Sequence, residues 1–162
     1  MTQQSKSHRW FQLEQTHGVL VVTLRTDKVT NEQLLDELEQ ITIAKLPHAS
    51  TAVLFNCHAV TGSVTTQFLT TLLAIRHAAQ KRNLLVCVCG MRESLLQVYQ
   101  VCRLHRIMPC YDEFEVALEA VGNFTADERK QRKVDRAHQA ASVITTSRSG
   151  EPQAASSAAT AR

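Results

Sequence analysis

The sequence predicts an α/β fold, a mixed sheet of four to five strands with about four helices packed on it. Three observations predict it. A β-branched run near the N-terminus follows a turn signal, so the chain opens as a hairpin. Short apolar runs then alternate with longer stretches of helical periodicity, the pattern of parallel βαβ units. After Gly122 the periodicity stops, which sets the end of the domain.

In order along the chain, residues 10–15 (WFQLEQ) form the first strand. His17 and Gly18 make the turn, and 19–25 (VLVVTLR) is a strongly β-branched second strand. Over 31–46, Leu34, Leu35, Leu38, Ile41 and Leu46 recur at helical spacing. Thr30 or Asn31 caps this helix, acidic residues come early and Lys45 late, and Pro47 marks its end. STAVLFN at 50–56 is short and almost wholly apolar, as befits a strand covered on both faces. From Thr65 to Arg82, Phe68, Leu69, Leu72, Leu73, Ile75 and Ala79 mark a second helix. LLVCVCG at 84–90 is another buried strand. A third helix over 91–104 takes Leu95, Leu96, Val98, Tyr99 and Cys102 as its apolar side. IMPCY at 107–111 is a short strand that Pro109 assigns to a sheet edge. Residues 112–122 form a last helix, capped by Asp112 and stopped by Gly122.

Residues 1–9 read as a flexible N-terminus and 10–122 as the domain. Residues 123–162 are first charged, then rich in Ala, Ser and Thr, and too poor in large apolar side chains to offset the entropy of ordering. They read as a disordered tail. Residues 1–122 carry 11 basic and 11 acidic side chains, whereas 123–162 carry 7 and 4, so the tail holds the whole net charge of +3. A balanced domain is a poor nucleic-acid binder over its surface. Weak contact through the basic run 129–133 (RKQRK) is the exception, and SVITTSRS in the tail is a secondary phosphorylation target. No apolar run approaches the roughly 18 residues of a membrane span, and the N-terminus has no apolar signal core. The expected location is the cytoplasm.

The stretch VTGSVTTQFL, residues 60–69, sits where a strand gives way to a helix and is crowded with hydroxyls. With its flanks it carries a resemblance. VLVVTLR with NEQLLDELEQI, then AVLFNCHAVTGSVTTQFLTTLLAIRHAAQKRNLLVCVCGM, then LLQVYQVCRLHRIMPCYDEFEVALEAV resemble a STAS domain of the anti-sigma-factor antagonist type over about residues 11–122. The resemblance implies a STAS fold and a binding module, not an enzyme. The implied partner is an anti-sigma factor, usually a serine-protein kinase of the histidine-kinase-like ATPase fold. Binding frees a sigma factor and so regulates transcription. The kinase reverses this partner switch by phosphorylating a Ser or Thr in the signature loop.

The family loop, D-S-[ST]-G-L in outline, falls on Val64, Thr65, Thr66, Gln67 and Phe68. Thr65 corresponds to the phosphoacceptor, and Thr66 is the fallback. Val64 stands where the family has Asp, and Gln67 where it has Gly. The implied partner surface is Thr61, Gly62, Ser63, Val64, Thr65, Thr66 and Gln67, with the exposed helix face at Thr70 and Thr71; Leu69 and Leu72 belong to the core. The plainer reading makes Thr65 an ordinary helix N-cap. A STAS scaffold that no longer switches, or a small-ligand sensor with a pocket by the loop, are the alternatives.

Other chemistry finds little footing. Cys57 and His58 adjoin but should point to opposite faces. The cysteines Cys57, Cys87, Cys89, Cys102 and Cys110 lack zinc spacing and read as reduced, buried side chains. The histidines are scattered, and no phosphate-binding glycine motif occurs. No cofactor or metal is expected.

Overall fold

The computed structural model describes residues 6–46 and 52–123. Pro47, the basic run and the rest of the expected tail lie outside these residues. Strands β1 (Lys6–Ser7), β2 (Phe11–Thr16) and β3 (Val19–Leu24) come first, followed by α1 (Glu32–Lys45), β4 (Ala52–Asn56) and α2 (Thr66–Lys81). Then come β5 (Leu85–Cys89), α3 (Glu93–Val101), a 3-10 turn (Leu104–Arg106) and β6 (Cys110–Tyr111). A last helix, α4, covers 114–123. The strands lie in one six-stranded sheet in chain order. β1, β2 and β3 pair antiparallel; β3, β4, β5 and β6 pair parallel.

Local chemistry accounts for most of this. Thr16 pairs with Val19 across a two-residue turn, and His17 and Gly18 both have positive φ (50° and 81°). That is the primed hairpin turn whose twist suits two strands. β3 is buried at five of its six positions because sheet neighbours flank it and helices cover it. α1 starts at Asn31, whose side chain accepts from the Gln33 N–H at 2.9 Å. Three consecutive parallel crossovers of one hand put α1, α2 and α3 on the same face. There they cover a core that includes Phe11, Val22, Val53, Phe55 and Val88. α2 buries Phe68, Leu69, Leu72, Ile75 and Ala79 against it, and each large side chain is worth about 1.5–3 kcal/mol. The opposite face is smaller. α4 lays Ala117 and Val121, with Phe114 and Leu118, over Val19, Val21, Ala52, Leu54, Cys87 and Cys89.

The structure corrects several expectations. A short edge strand, Lys6–Ser7, pairs with Leu13 and Gln12 ahead of the position where sequence periodicity starts the domain, so the strands number six. The strand expected over 107–111 shrinks to Cys110–Tyr111, because the Ile107 and Met108 N–H groups turn back to the Leu104 carbonyl oxygen and Pro109 has no N–H to give a ladder. On α3 only Leu95 and Tyr99 are buried; Val98 and Cys102, expected on the apolar side, face outward. A helix of nine residues has room for one narrow stripe. α4 starts two residues after Asp112 and runs through Gly122 rather than stopping at it.

Candidate functional site

Two loops leave the carboxyl ends of the parallel strands side by side. One, 25–31, joins β3 to α1; the other, 57–65, joins β4 to α2. The Asp27 carbonyl oxygen accepts from the Thr61 N–H at 3.1 Å and the Gly62 N–H at 2.8 Å. Val29 and Val64 form a parallel bridge. Gly62 is required by this approach: a Cβ there would lie 2.9 Å from Cγ of Lys28 and 3.0 Å from the Asp27 oxygen. Beneath the loops Val29, Cys57 and Val60 are buried. Asn56 shapes the start of the second loop by accepting from the His58 N–H at 3.1 Å.

The expected site residues gather on this loop and the first turn of α2. Thr61, Ser63, Thr66, Gln67 and Thr70 are exposed, while Gly62, Val64 and Thr65 are partly covered. Thr71 is the exception. It is only 5% exposed, because three residues after Phe68 it turns back into the bundle. The exposed stripe of α2 therefore runs through Thr66, Thr70, Leu73 and His77.

Thr65 holds the N-cap position with extended backbone (φ −97°, ψ 155°), yet its hydroxyl makes no capping hydrogen bond. It donates to the Val29 carbonyl oxygen at 3.4 Å instead. The first turn of α2 contains no acidic residue. A 16-residue helix thus presents its positive end, and amide hydrogens without a side-chain acceptor from its cap, at a surface loop. Val64, standing where a carboxylate was the family pattern, packs against the main core.

The neighbouring chemistry is structural. Cys57 is fully buried and His58 exposed, so the two do not meet as a catalytic pair. Burial drives the Cys57 thiol far up from its ordinary pKa and pushes those of Cys87 and Cys89 to about 12. All three stay protonated and unreactive at neutral pH. Among the described residues no cluster of His, Cys, Asp and Glu could hold a metal ion, and no helix is long and apolar enough to cross a membrane. Two surface cavities, of about 610 and 400 Å³, are lined by other residues: the first by α3 and β6, the second by the β2–β3 turn and α4. Neither touches the loop. The partner half of the site, Asp27 to Val29, escaped the sequence reading, since TDKVT carries no periodicity and only the fold brings it against Gly62.

No family model matches the sequence, and neither does any curated protein. Solved structures do. A STAS-domain anti-sigma-factor antagonist from Planctomyces limnophilus superimposes with TM-score 0.61 at 16% identity, covering 68% of this chain and 97% of that one. An anti-sigma factor antagonist from Mycobacterium paratuberculosis gives TM-score 0.56 at 23% identity, with 68% and 92% covered. A sulfate transporter family protein from Wolinella succinogenes gives 0.59 at 11% identity, with 69% and 90% covered. The chain has the fold of the STAS domains.

Proposed function

We propose that this chain is an anti-sigma factor antagonist, a protein-binding module and not an enzyme. Its partner is an anti-sigma factor, a serine-protein kinase of the histidine-kinase-like ATPase fold, and the contact surface is the loop 61–66 with the exposed stripe of α2. The observation that carries this reading is the state of Thr65. It stands at a helix start without spending its hydroxyl on the cap. A phosphate there would meet the positive helix end and free N–H groups, so the fold would tolerate it. It would also add about −1.5 to −2 charges to a surface that docks a partner, and the desolvation of that charge would dissociate the complex. Thr66, more exposed, is the second acceptor.

A second reading has its own observation. Val64 is tied into the core and bridged to Val29, which favours a constitutive scaffold that does not switch. One experiment separates the two. The chain is incubated with ATP and each kinase of this type encoded beside it, and the tryptic peptide Leu46–Arg76 is analysed by mass spectrometry. Phosphate on Thr65 or Thr66, with loss of the kinase complex, is the expected result. A stable complex with an unmodified peptide establishes the scaffold; no complex with any such kinase rejects both.

A further inference from the structure

The balance of charge over 1–122 hides a segregation. Residues 57–111 carry six basic side chains (Arg76, Lys81, Arg82, Arg92, Arg103, Arg106) and one acidic one, Glu93. The acidic side chains concentrate on α1 and around the start of α4. The exposed large hydrophobics are as unevenly placed. Among the described residues, Leu73 lies on α2, Val98 and Val101 on α3 and Ile107 directly after the 3-10 turn, with Val116 elsewhere; Val101 is 82% exposed. A hydrogen bond of 3.1 Å from Arg76 Nε to the Ile107 carbonyl oxygen joins α2 to the end of the 3-10 turn. Leu73 and Ile107 therefore flank Arg76, and Val98 and Val101 are exposed on α3, which packs on the same 3-10 turn. Beside them Arg103 has φ 56° and ψ 23°, the left-handed conformation, immediately after α3. Glycine fits that helix-ending position without strain, and a side chain with a Cβ does not. A strained, exposed arginine among exposed valines is a cost to the isolated domain.

We infer that α2, α3 and the 3-10 turn form a second docking surface, and that its occupant is an acidic protein segment bearing apolar side chains. Charge complementarity selects the sign of the partner. The exposed aliphatic side chains between the arginines select a protein over a nucleic acid, because they gain from burial against apolar side chains and not against a phosphate backbone. This inference rests on the reading of the chain as a protein-binding module, and it extends the contact surface away from the Thr65 loop toward Val101.

A displayed library of random 16-residue peptides, selected on the full chain, tests it. Enriched peptides should interleave Glu or Asp with Leu, Ile or Phe. They should bind Val101→Glu and Arg103→Gly variants at least tenfold more weakly and lose affinity as salt is raised. Arg103→Gly relieves the strained position, so its thermal midpoint should hold or rise, and weaker binding cannot then be blamed on unfolding. Peptides that bind both variants unchanged, or an absence of enrichment, overturn the inference. Tighter binding of single-stranded DNA or of phosphatidylserine vesicles to the same residues also overturns it and names the other occupant. Kinase binding that depends on Thr65 but not on Val101 or Arg103 leaves the proposed function standing and removes this surface alone.

Discussion

Two helices start side by side in this molecule, and they start differently. α1 begins at Asn31, whose side chain accepts from the Gln33 N–H. α2 begins at Thr65, whose hydroxyl points away from the helix to the Val29 carbonyl. Both residues have the extended backbone of a cap. An Asn cap secures its helix from inside. A Thr that leaves its helix end open gives up roughly 1 kcal/mol and keeps an anion-ready surface. The difference teaches that the α2 start is held by other means, namely the Asp27 bonds, the Val29–Val64 bridge and the burial of Phe68 one turn on.

The largest effect should come from the buried thiols on both faces of the sheet, Cys57 in the core that α1 and α2 cover and Cys87 and Cys89 under α4. The thiols of Cys57, Cys87 and Cys89 are held protonated by burial, with Cys87 and Cys89 at about 12. In the unfolded chain such thiols ionise near pH 8.5. The folded state then binds more protons than the unfolded one, so stability is fully present below about pH 8.5 and falls as pH rises toward 12. Urea midpoints measured between pH 7 and 11 should decline above 9. A Cys57→Ala, Cys87→Ala, Cys89→Ala variant should decline less steeply. A Cys57→Ala variant alone should recover the share of the decline that bears on the two helix starts, because Cys57 is the one of these three in the core that α1 and α2 cover.

Val64→Asp is expected next. It supplies the carboxylate of the loop pattern that this stretch resembles but puts a charge on a partly covered side chain that packs on the core. The nearby helix end recovers part of the loss, leaving a destabilisation of about 1–3 kcal/mol by urea denaturation. No loss would show that the loop already has room for the carboxylate, and would strengthen the phosphorylation reading. Asn31→Ala should cost about 1 kcal/mol, the ordinary value of a working cap. Thr65→Ala should cost less than half of that, because no capping bond is lost. Equal costs would erase the contrast between the two starts.

Much of this was legible in the sequence. The hairpin turn, the Asn31 cap and the apolar positions of α2 follow from rules acting within a few residues. What stayed hidden depends on distant neighbours. The Asp27–Gly62 contact joins segments 35 positions apart in a stretch without periodicity. Thr71 looked like part of a polar hydroxyl stripe, but helical phase alone buries it. On α3 the apolar letters Val98 and Cys102 read as core, but a helix this short buries only the stripe of Leu95 and Tyr99. A count of 11 charges against 11 could not show that the acidic side chains gather on α1 and around the start of α4 while the basic ones prevail between residues 57 and 111.

Thr65→Asp is the smallest expected change in stability and the most informative. Asp at an N-cap accepts from the free N–H groups at least as well as Thr and adds a negative charge at the positive helix end. Stability should be unchanged or rise by about 0.5 kcal/mol, read from the urea midpoint. Affinity for the proposed kinase partner should nevertheless fall at least tenfold by titration calorimetry. The two readouts moving in opposite directions would separate a surface tuned for a partner from a helix start tuned for the fold. If stability rises and affinity does not change, the open cap of α2 is only an imperfect Thr cap, and the partner surface must be sought toward Val101.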